Sequence, residues 1–164
     1  MKCRCCSKNI ENILIDLNFA PLANSYIELP LNKNYFEKYY PLIVYYCTNC
    51  WFVQSNTLNE PKEIFNNDYA YLSSTSKTFI NHCKIYRDDI INKLLLTDKS
   101  FVLEIASNDG YLLELFNKKK IPNLGIEPTK STAEIAKKKG VKTIKEFYNF
   151  NFSKKINKLY GKAD

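Results

Sequence analysis

Two Cys-x-x-Cys pairs constrain this chain more than any other feature. They are Cys3–Arg4–Cys5–Cys6 and Cys47–Thr48–Asn49–Cys50, with 40 residues between Cys6 and Cys47. Two intervening residues let the backbone turn so that both sulfurs face one ion and backbone N–H groups point at the thiolates. Four sulfurs at ~2.3 Å in a tetrahedron suit Zn²⁺, and a closed set of four leaves no open position for chemistry. The spacing therefore predicts a structural zinc site at Cys3, Cys6, Cys47 and Cys50, tying together a lobe whose own core would be marginal. Two alternatives stay open at this point. Cys3 can pair with Cys5 instead, or the cysteines can be buried thiols beside an unrelated vicinal pair. Cys83, on an apolar helix face, reads as core.

Nothing in the sequence points to a membrane or to secretion. The N-terminus, MKCRCCSK, is charged and lacks an apolar h-region. No apolar run approaches the ~20 residues that span a bilayer. A cytoplasmic location is expected, where clustered cysteines stay reduced and more often bind metal than form disulfides. The formal charge of +7 invites an acidic partner, but the lysines are scattered over helix faces, as in Lys118–Lys120 and Lys137–Lys139. That distribution makes a nucleic-acid partner the weaker expectation.

The pattern changes along the chain. Residues 1–65 are rich in Cys, Pro, Tyr and Asn, with strand-like runs at Tyr40–Cys47 and Trp51–Gln54 and a short helix at PKEIF. Residues 66–98 form a connecting helical segment: Phe79, Cys83, Tyr86, Ile90 and Leu94 recur at helical spacing, with Ser74, Thr75 or Ser76 as the cap. Residues 99–164 alternate strand and helix: FVLEIA, a helix from about Gly110 to Lys119, NLGIE, a helix opening at Ser131 with a Ser131…Glu134 capping box and stopping at Gly140, VKTI, and a helix around 152–160. Such alternation predicts βαβ units and a parallel sheet. The expected class is α/β: a small zinc-binding lobe, then the first half of a Rossmann-like domain, because three strands are fewer than such a sheet normally has.

The junction of the first strand and helix carries the site. Where a dinucleotide fingerprint would place three glycines, the chain reads Ala106, Ser107, Asn108, Asp109, Gly110. Losing glycines weakens the case for a pyrophosphate, which needs close backbone approach. A polar turn of this kind suits a ligand end that bears both a carboxylate and an ammonium. Glu104 is placed to hold the turn or a water beneath that ammonium, and helix N–H groups near Gly110 would face the carboxylate. Glu127 ends the second strand 17 residues after Gly110, where an acid can accept both ribose hydroxyls of an adenosine. Capping and solvation are the plainer roles for Glu104, Asp109 and Glu127. Phe147 is placed to lie against an adenine or to pack in the core.

Together these residues resemble a known family: S-adenosylmethionine-dependent sugar C-methyltransferases with an N-terminal zinc-binding domain. The likeness rests on the two Cys-x-x-Cys pairs, PLANSY (Pro21–Tyr26), YPL before Cys47, VQ after Cys50, DYAYLSSTS (Asp68–Ser76) with His82, EIASNDGYLL (Glu104–Leu113) and GIEP (Gly125–Pro128). The resemblance implies a class I methyltransferase fold, of which the chain would hold only the N-terminal portion. It implies that Ser107, Asn108, Asp109 and Gly110 surround the methionine end of S-adenosylmethionine, with Glu127 at the ribose. It also implies that Tyr69 and Tyr71 close over the sulfonium and the sugar. Candidate catalytic residues are Tyr69, Tyr71 and His82, although on a helix His82 can simply bond a neighbour. In such enzymes the proton-abstracting histidine lies in a later segment, and that role is not transferred to His82.

The implied substrate is a nucleotide-linked 4-keto-deoxysugar. This chain alone is expected to retain zinc, bind S-adenosylmethionine weakly or not at all, and be inactive, with a second chain as one source of the missing half. Two other classes compete: a zinc-binding interaction module for nucleic acid or protein, and half of a nucleotide-binding oxidoreductase.

Overall fold

A computed structural model describes residues 1–27, 29, 36–56, 60–66 and 69–164. Asp68, the first residue of the DYAYLSSTS motif, lies outside the described residues. The chain divides into two compact units, Met1–Ile64 and Phe65–Asp164. Among the described residues no helix is long and apolar enough to cross a membrane.

In the first unit, β1 (Ile13–Pro21), β2 (Tyr39–Tyr46) and β3 (Val53–Ser55) form an antiparallel sheet in the order β1-β2-β3, and α1 (Pro61–Ile64) closes the unit. Two register shifts interrupt the β1–β2 pairing. Trp51, read as the start of the third strand, instead sits in a turn with φ +59°. Among the described residues the buried core is small: Cys3, Ile10 and Cys47, with Cys6, Tyr45 and Cys50 packed around them. Four of those six residues carry the paired sulfurs, so apolar burial alone gives this unit little stability.

The second unit opens with a 3₁₀ turn, Ser73–Thr75, and a long helix, α2 (Lys77–Leu94). Of the candidate caps, Ser76 is the one used: its side chain accepts the Phe79 N–H at 3.2 Å. Then β4 (Val102–Ile105), α3 (Leu113–Asn117), β5 (Asn123–Ile126), α4 (Lys130–Lys138), β6 (Thr143–Ile144) and α5 (Phe150–Tyr160) alternate along the chain. The strands pair in parallel in the order β4-β5-β6. Helices cover both faces of this sheet, as parallel strands require. Leu124 and Ile126 pack with Ile156 of α5, while Leu113, Phe116, Ala136 and Val141 form a second core with the end of α2. Gly140, with φ +78°, follows α4, and the Val141 N–H turns back to the Ala136 carbonyl at 3.0 Å. A glycine past the last turn ends the helix as its position foretells.

Two local expectations fail. The Ser131…Glu134 capping box does not form: α4 begins one residue earlier, after Thr129, and the Ser131 hydroxyl is buried without a partner. Ser131 already lies inside the first turn, so it cannot cap it. The helix expected from Gly110 is regular only over Leu113–Asn117. The residues before it are held in a turn, and the Gly110 N–H donates to the Ser107 carbonyl at 3.0 Å instead of facing a ligand.

Candidate metal centre and ligand cradle

The two cysteine pairs build the same backbone turn twice. In the first, the Ser7 N–H donates to the Cys3 carbonyl at 2.9 Å and the Cys3 N–H to the Lys8 carbonyl at 2.8 Å. In the second, Trp51 N–H reaches the Cys47 carbonyl at 2.8 Å and Cys47 N–H the Phe52 carbonyl at 3.0 Å. The residue after each second cysteine is left-handed, Ser7 at φ +62° and Trp51 at +59°. This bend aims the next N–H back at sulfur: Lys8 at Cys6 and Phe52 at Cys50. The Lys8 N–H is the main reason the Cys6 thiol is drawn down to about 6. Gln54 locks the turns together, its Oε1 accepting the Arg4 N–H at 2.8 Å and its Nε2 donating to the Lys2 carbonyl at 3.2 Å.

All four sulfurs lie within 4.8 Å of one another, with Cys3–Cys50 and Cys6–Cys47 at 3.6 Å. A tetrahedron of sulfurs ~2.3 Å from a central Zn²⁺ has edges of ~3.8 Å. A disulfide would need ~2.05 Å. The donors therefore fit one zinc ion and not a pair of bridges. Cys5 is exposed and outside the cluster, because the turn puts first and fourth positions, not first and third, on the same side.

The second unit carries a different constellation at the C-terminal ends of β4 and β5. Alternate residues of the turn are left-handed: Ala106 at φ +59°, Asn108 at +47° and Gly110 at +75°. Ala106 adopts this conformation at a cost of ~1–2 kcal/mol. The conformation is held from outside. The Asn108 N–H donates to Glu127 Oε2 at 2.9 Å, and the Thr129 N–H to Glu127 Oε1 at 2.8 Å. Glu127 is thus buried with each oxygen already accepting one backbone N–H. A second lone pair remains on each.

The side chains of the turn hold the segment ahead of α2. Asn108 Oδ1 accepts the Ser73 N–H at 2.9 Å and its Nδ2 donates to the Tyr71 carbonyl at 3.1 Å. Asp109, wholly buried, accepts from the Ser74 hydroxyl and from Lys139 Nζ at 2.8 Å. Asn108 and Asp109 thus position the strap that carries Tyr71. The Tyr71 side chain is half exposed, while Tyr69 packs on Phe65 with ring centroids 5.3 Å apart. Burial, then the charges of Glu127 and Tyr71, push the Tyr69 phenol upward. His82 is exposed and stacks on Phe79 at 6.4 Å, and Phe79 in turn tilts against Tyr111 at 5.3 Å.

Two glycines permit this packing. A Cβ on Gly110 would stand 3.0 Å from Ala136 and from Val141, and one on Gly125 would collide with the Ser107 hydroxyl and stand 3.0 Å from its Cβ. Glu104, near the end of β4, is mostly buried. Burial foremost, with the charges of Asp109 and Glu127, raises its carboxyl to about 8 against the pull of a hydrogen bond from Tyr111. Buried polar atoms without partners gather here: Glu104 Oε2, Ser107 Oγ, Asp109 Oδ1 and Thr129 Oγ1. Orphaned polar atoms are costly, and so many around one turn mark a place built for polar ligand atoms or waters. Lys139, Ser74, Tyr111 and Gly125 were missed as site residues. Lys139 sits in a lysine run that looks like any solvated helix end.

Residues 3–65 match the family model of a methyltransferase-type zinc binding domain. The chain is also 28% identical over 162 residues to the C-methyltransferase NovU of Streptomyces niveus. That alignment covers 99% of this chain and 38% of the relative, so the chain spans well under half the relative's length. The chain is therefore a mixed α/β protein with a zinc-binding type of N-terminal segment, similar along nearly its whole length to part of a C-methyltransferase.

Proposed function

We propose that this chain forms the zinc-stapled head and the donor-binding half of an S-adenosylmethionine-dependent C-methyltransferase. The observation that carries the reading is the gathering of Glu104, Ser107, Asp109 and Thr129 oxygens without partners around the Ala106–Gly110 turn. The 28% identity to a C-methyltransferase through this same turn supports it. When bound, S-adenosylmethionine supplies an electrophilic methyl group on a sulfonium. Ser107, Asp109 and Glu104 would meet its amino-acid end. Glu127 would meet the ribose with its remaining lone pairs. Tyr71, half exposed and tethered by Asn108, would lie over the cationic centre, toward which an aromatic face is electron-rich.

A methyl acceptor of this class must offer a nucleophilic carbon. A nucleotide-linked keto-deoxysugar does so beside its ketone once a proton is removed. The zinc site takes no part in that chemistry, having no open position. Work in the cytoplasm, where the four thiols stay reduced, fits the metal centre.

The test is an NMR titration of the backbone amides. S-adenosylmethionine at millimolar concentration is expected to shift Ser107–Gly110 and Glu127, and NAD to leave them in place. If NAD shifts them and S-adenosylmethionine does not, the oxidoreductase reading replaces this one. A second reading, a zinc-binding interaction module, draws on the exposed apolar side chains Leu14, Leu17, Phe19 and Trp51 of the first unit. It would be favoured if neither nucleotide moved those amides.

A further inference from the structure

Three carboxylates, Glu104, Asp109 and Glu127, lie around the Ala106–Gly110 turn, and they are compensated very unequally. Asp109 has Lys139 at 2.8 Å and the Ser74 hydroxyl. Glu127 has two backbone N–H groups at 2.8 and 2.9 Å. Glu104 has the Tyr111 phenol on one side and nothing on Oε2, and no ion pair reaches it among the described residues. The groups facing it are Cys83 from α2, Tyr111 from the turn ahead of α3, Asp109 from the same turn and Glu127 from the end of β5. None of the four is a cation. Burial and Glu104 itself push both the Cys83 thiol and the Tyr111 phenol upward, so both stay neutral around pH 7.

A buried carboxyl with one donor and two acidic neighbours is more stable with its proton than without it. We propose that Glu104 is a proton-linked cation receptor: it holds a proton while the cradle is empty and releases it to solvent when the ammonium end of the ligand arrives. The ligand keeps its own protons. The O–H bond of Glu104 breaks, its proton goes to the buffer, and the carboxylate then faces the ammonium directly or across one water. Tyr111 stays protonated and donates throughout. The exchange replaces a neutral acid by a carboxylate paired with the ammonium, which avoids burying an uncompensated cation. This inference rests on the reading of the cradle as an S-adenosyl site, and it adds that protons compete with the ligand there.

The experiment uses the full chain with ¹³Cδ-labelled glutamate, with Glu104→Gln identifying the resonance. In the free protein the Glu104 carboxyl is expected to titrate well above the other glutamates. Excess S-adenosylhomocysteine, which bears the ammonium, should move that resonance to its carboxylate position at pH 6.5. 5′-Methylthioadenosine, which lacks the amino-acid end, should not. Affinity for S-adenosylhomocysteine should weaken about tenfold for each pH unit lowered between 7 and 6, and this slope should vanish in Glu104→Gln. A Glu104 that titrates with the other glutamates in the free protein overturns the proposal. So does S-adenosylhomocysteine that shifts the Ser107–Gly110 amides while leaving Glu104 protonated; the functional reading then survives. A high-titrating Glu104 with no amide shift from either nucleoside overturns the functional reading, and this proposal with it.

Discussion

The Glu127 carboxylate accepts the Asn108 backbone N–H at 2.9 Å, so an acid at the end of one strand fixes the turn at the end of its neighbour. With the second oxygen on the Thr129 N–H at 2.8 Å, Glu127 also sets the start of α4. Glu127→Ala should leave both N–H groups without their acceptor and lower stability by about 1–3 kcal/mol for each that water cannot reach. Urea unfolding of the two proteins side by side measures this, with the midpoint falling and the slope unchanged.

Gly125→Ala tests the close approach of β4 and β5. The new methyl would collide with Ser107, so a loss of about 1–3 kcal/mol is expected from overpacking. Removing the obstacle should restore much of it: Gly125→Ala with Ser107→Gly should be more stable than the sum of the single losses allows. Thermal melts of the four members of this cycle supply the comparison.

Lys139 neutralises Asp109, whose side chain has no solvent exposure. Lys139→Met leaves that carboxylate buried and unpaired, at a cost on the order of 3 kcal/mol. Adding Asp109→Asn removes the stranded charge and should recover part of the loss. Recovery greater than additivity, read from unfolding midpoints, is the expected result.

The four-sulfur centre predicts a pattern of losses. One zinc per chain should be found by mass spectrometry, retained in Cys5→Ser and lost in Cys47→Ser. Chelation should disorder residues 1–64 by NMR and spare the amides of β4, β5 and β6. The metal's contribution to folding in such sites is about 10–16 kcal/mol, far more than three buried core residues can replace.

Acidity makes a further prediction with an unusual sign. A folded-state carboxyl raised to about 8 means the native protein binds more protons than the unfolded chain from the ordinary glutamate range up to about pH 8. Stability of the second unit should therefore fall as pH rises through that window, by roughly 1.4 kcal/mol per pH unit from this one group. Glu104→Gln should flatten the dependence. Chemical unfolding at pH 5.5, 6.5 and 7.5 decides the matter.

Much of this was legible in the sequence, for physical reasons. Helix and strand periods in the second unit gave each element to within a few residues, because one face of each must be apolar. The cysteine spacing carried its geometry with it, since only one backbone turn brings first and fourth positions together. The capping box at Ser131 was misleading because Glu127 anchors the Thr129 N–H and moves the helix start to Lys130. Asn108 and Asp109 were read as ligand groups, yet their side chains first hold Tyr71, Ser73 and Ser74. A contact between residues 35 positions apart leaves no periodic mark, and that is why the strap was invisible until the chain was folded.

The duplicated cysteine turn also constrains how the protein is made. The first half of the metal site leaves the ribosome with Cys3 and Cys6, but its other half follows only with Cys47 and Cys50. At ~5–20 residues per second, a nascent chain waits several seconds with two thiolates poised on an open bend. Any ion captured early would be held by two sulfurs and readily surrendered, so the head matures only when its last strand pair has been synthesised.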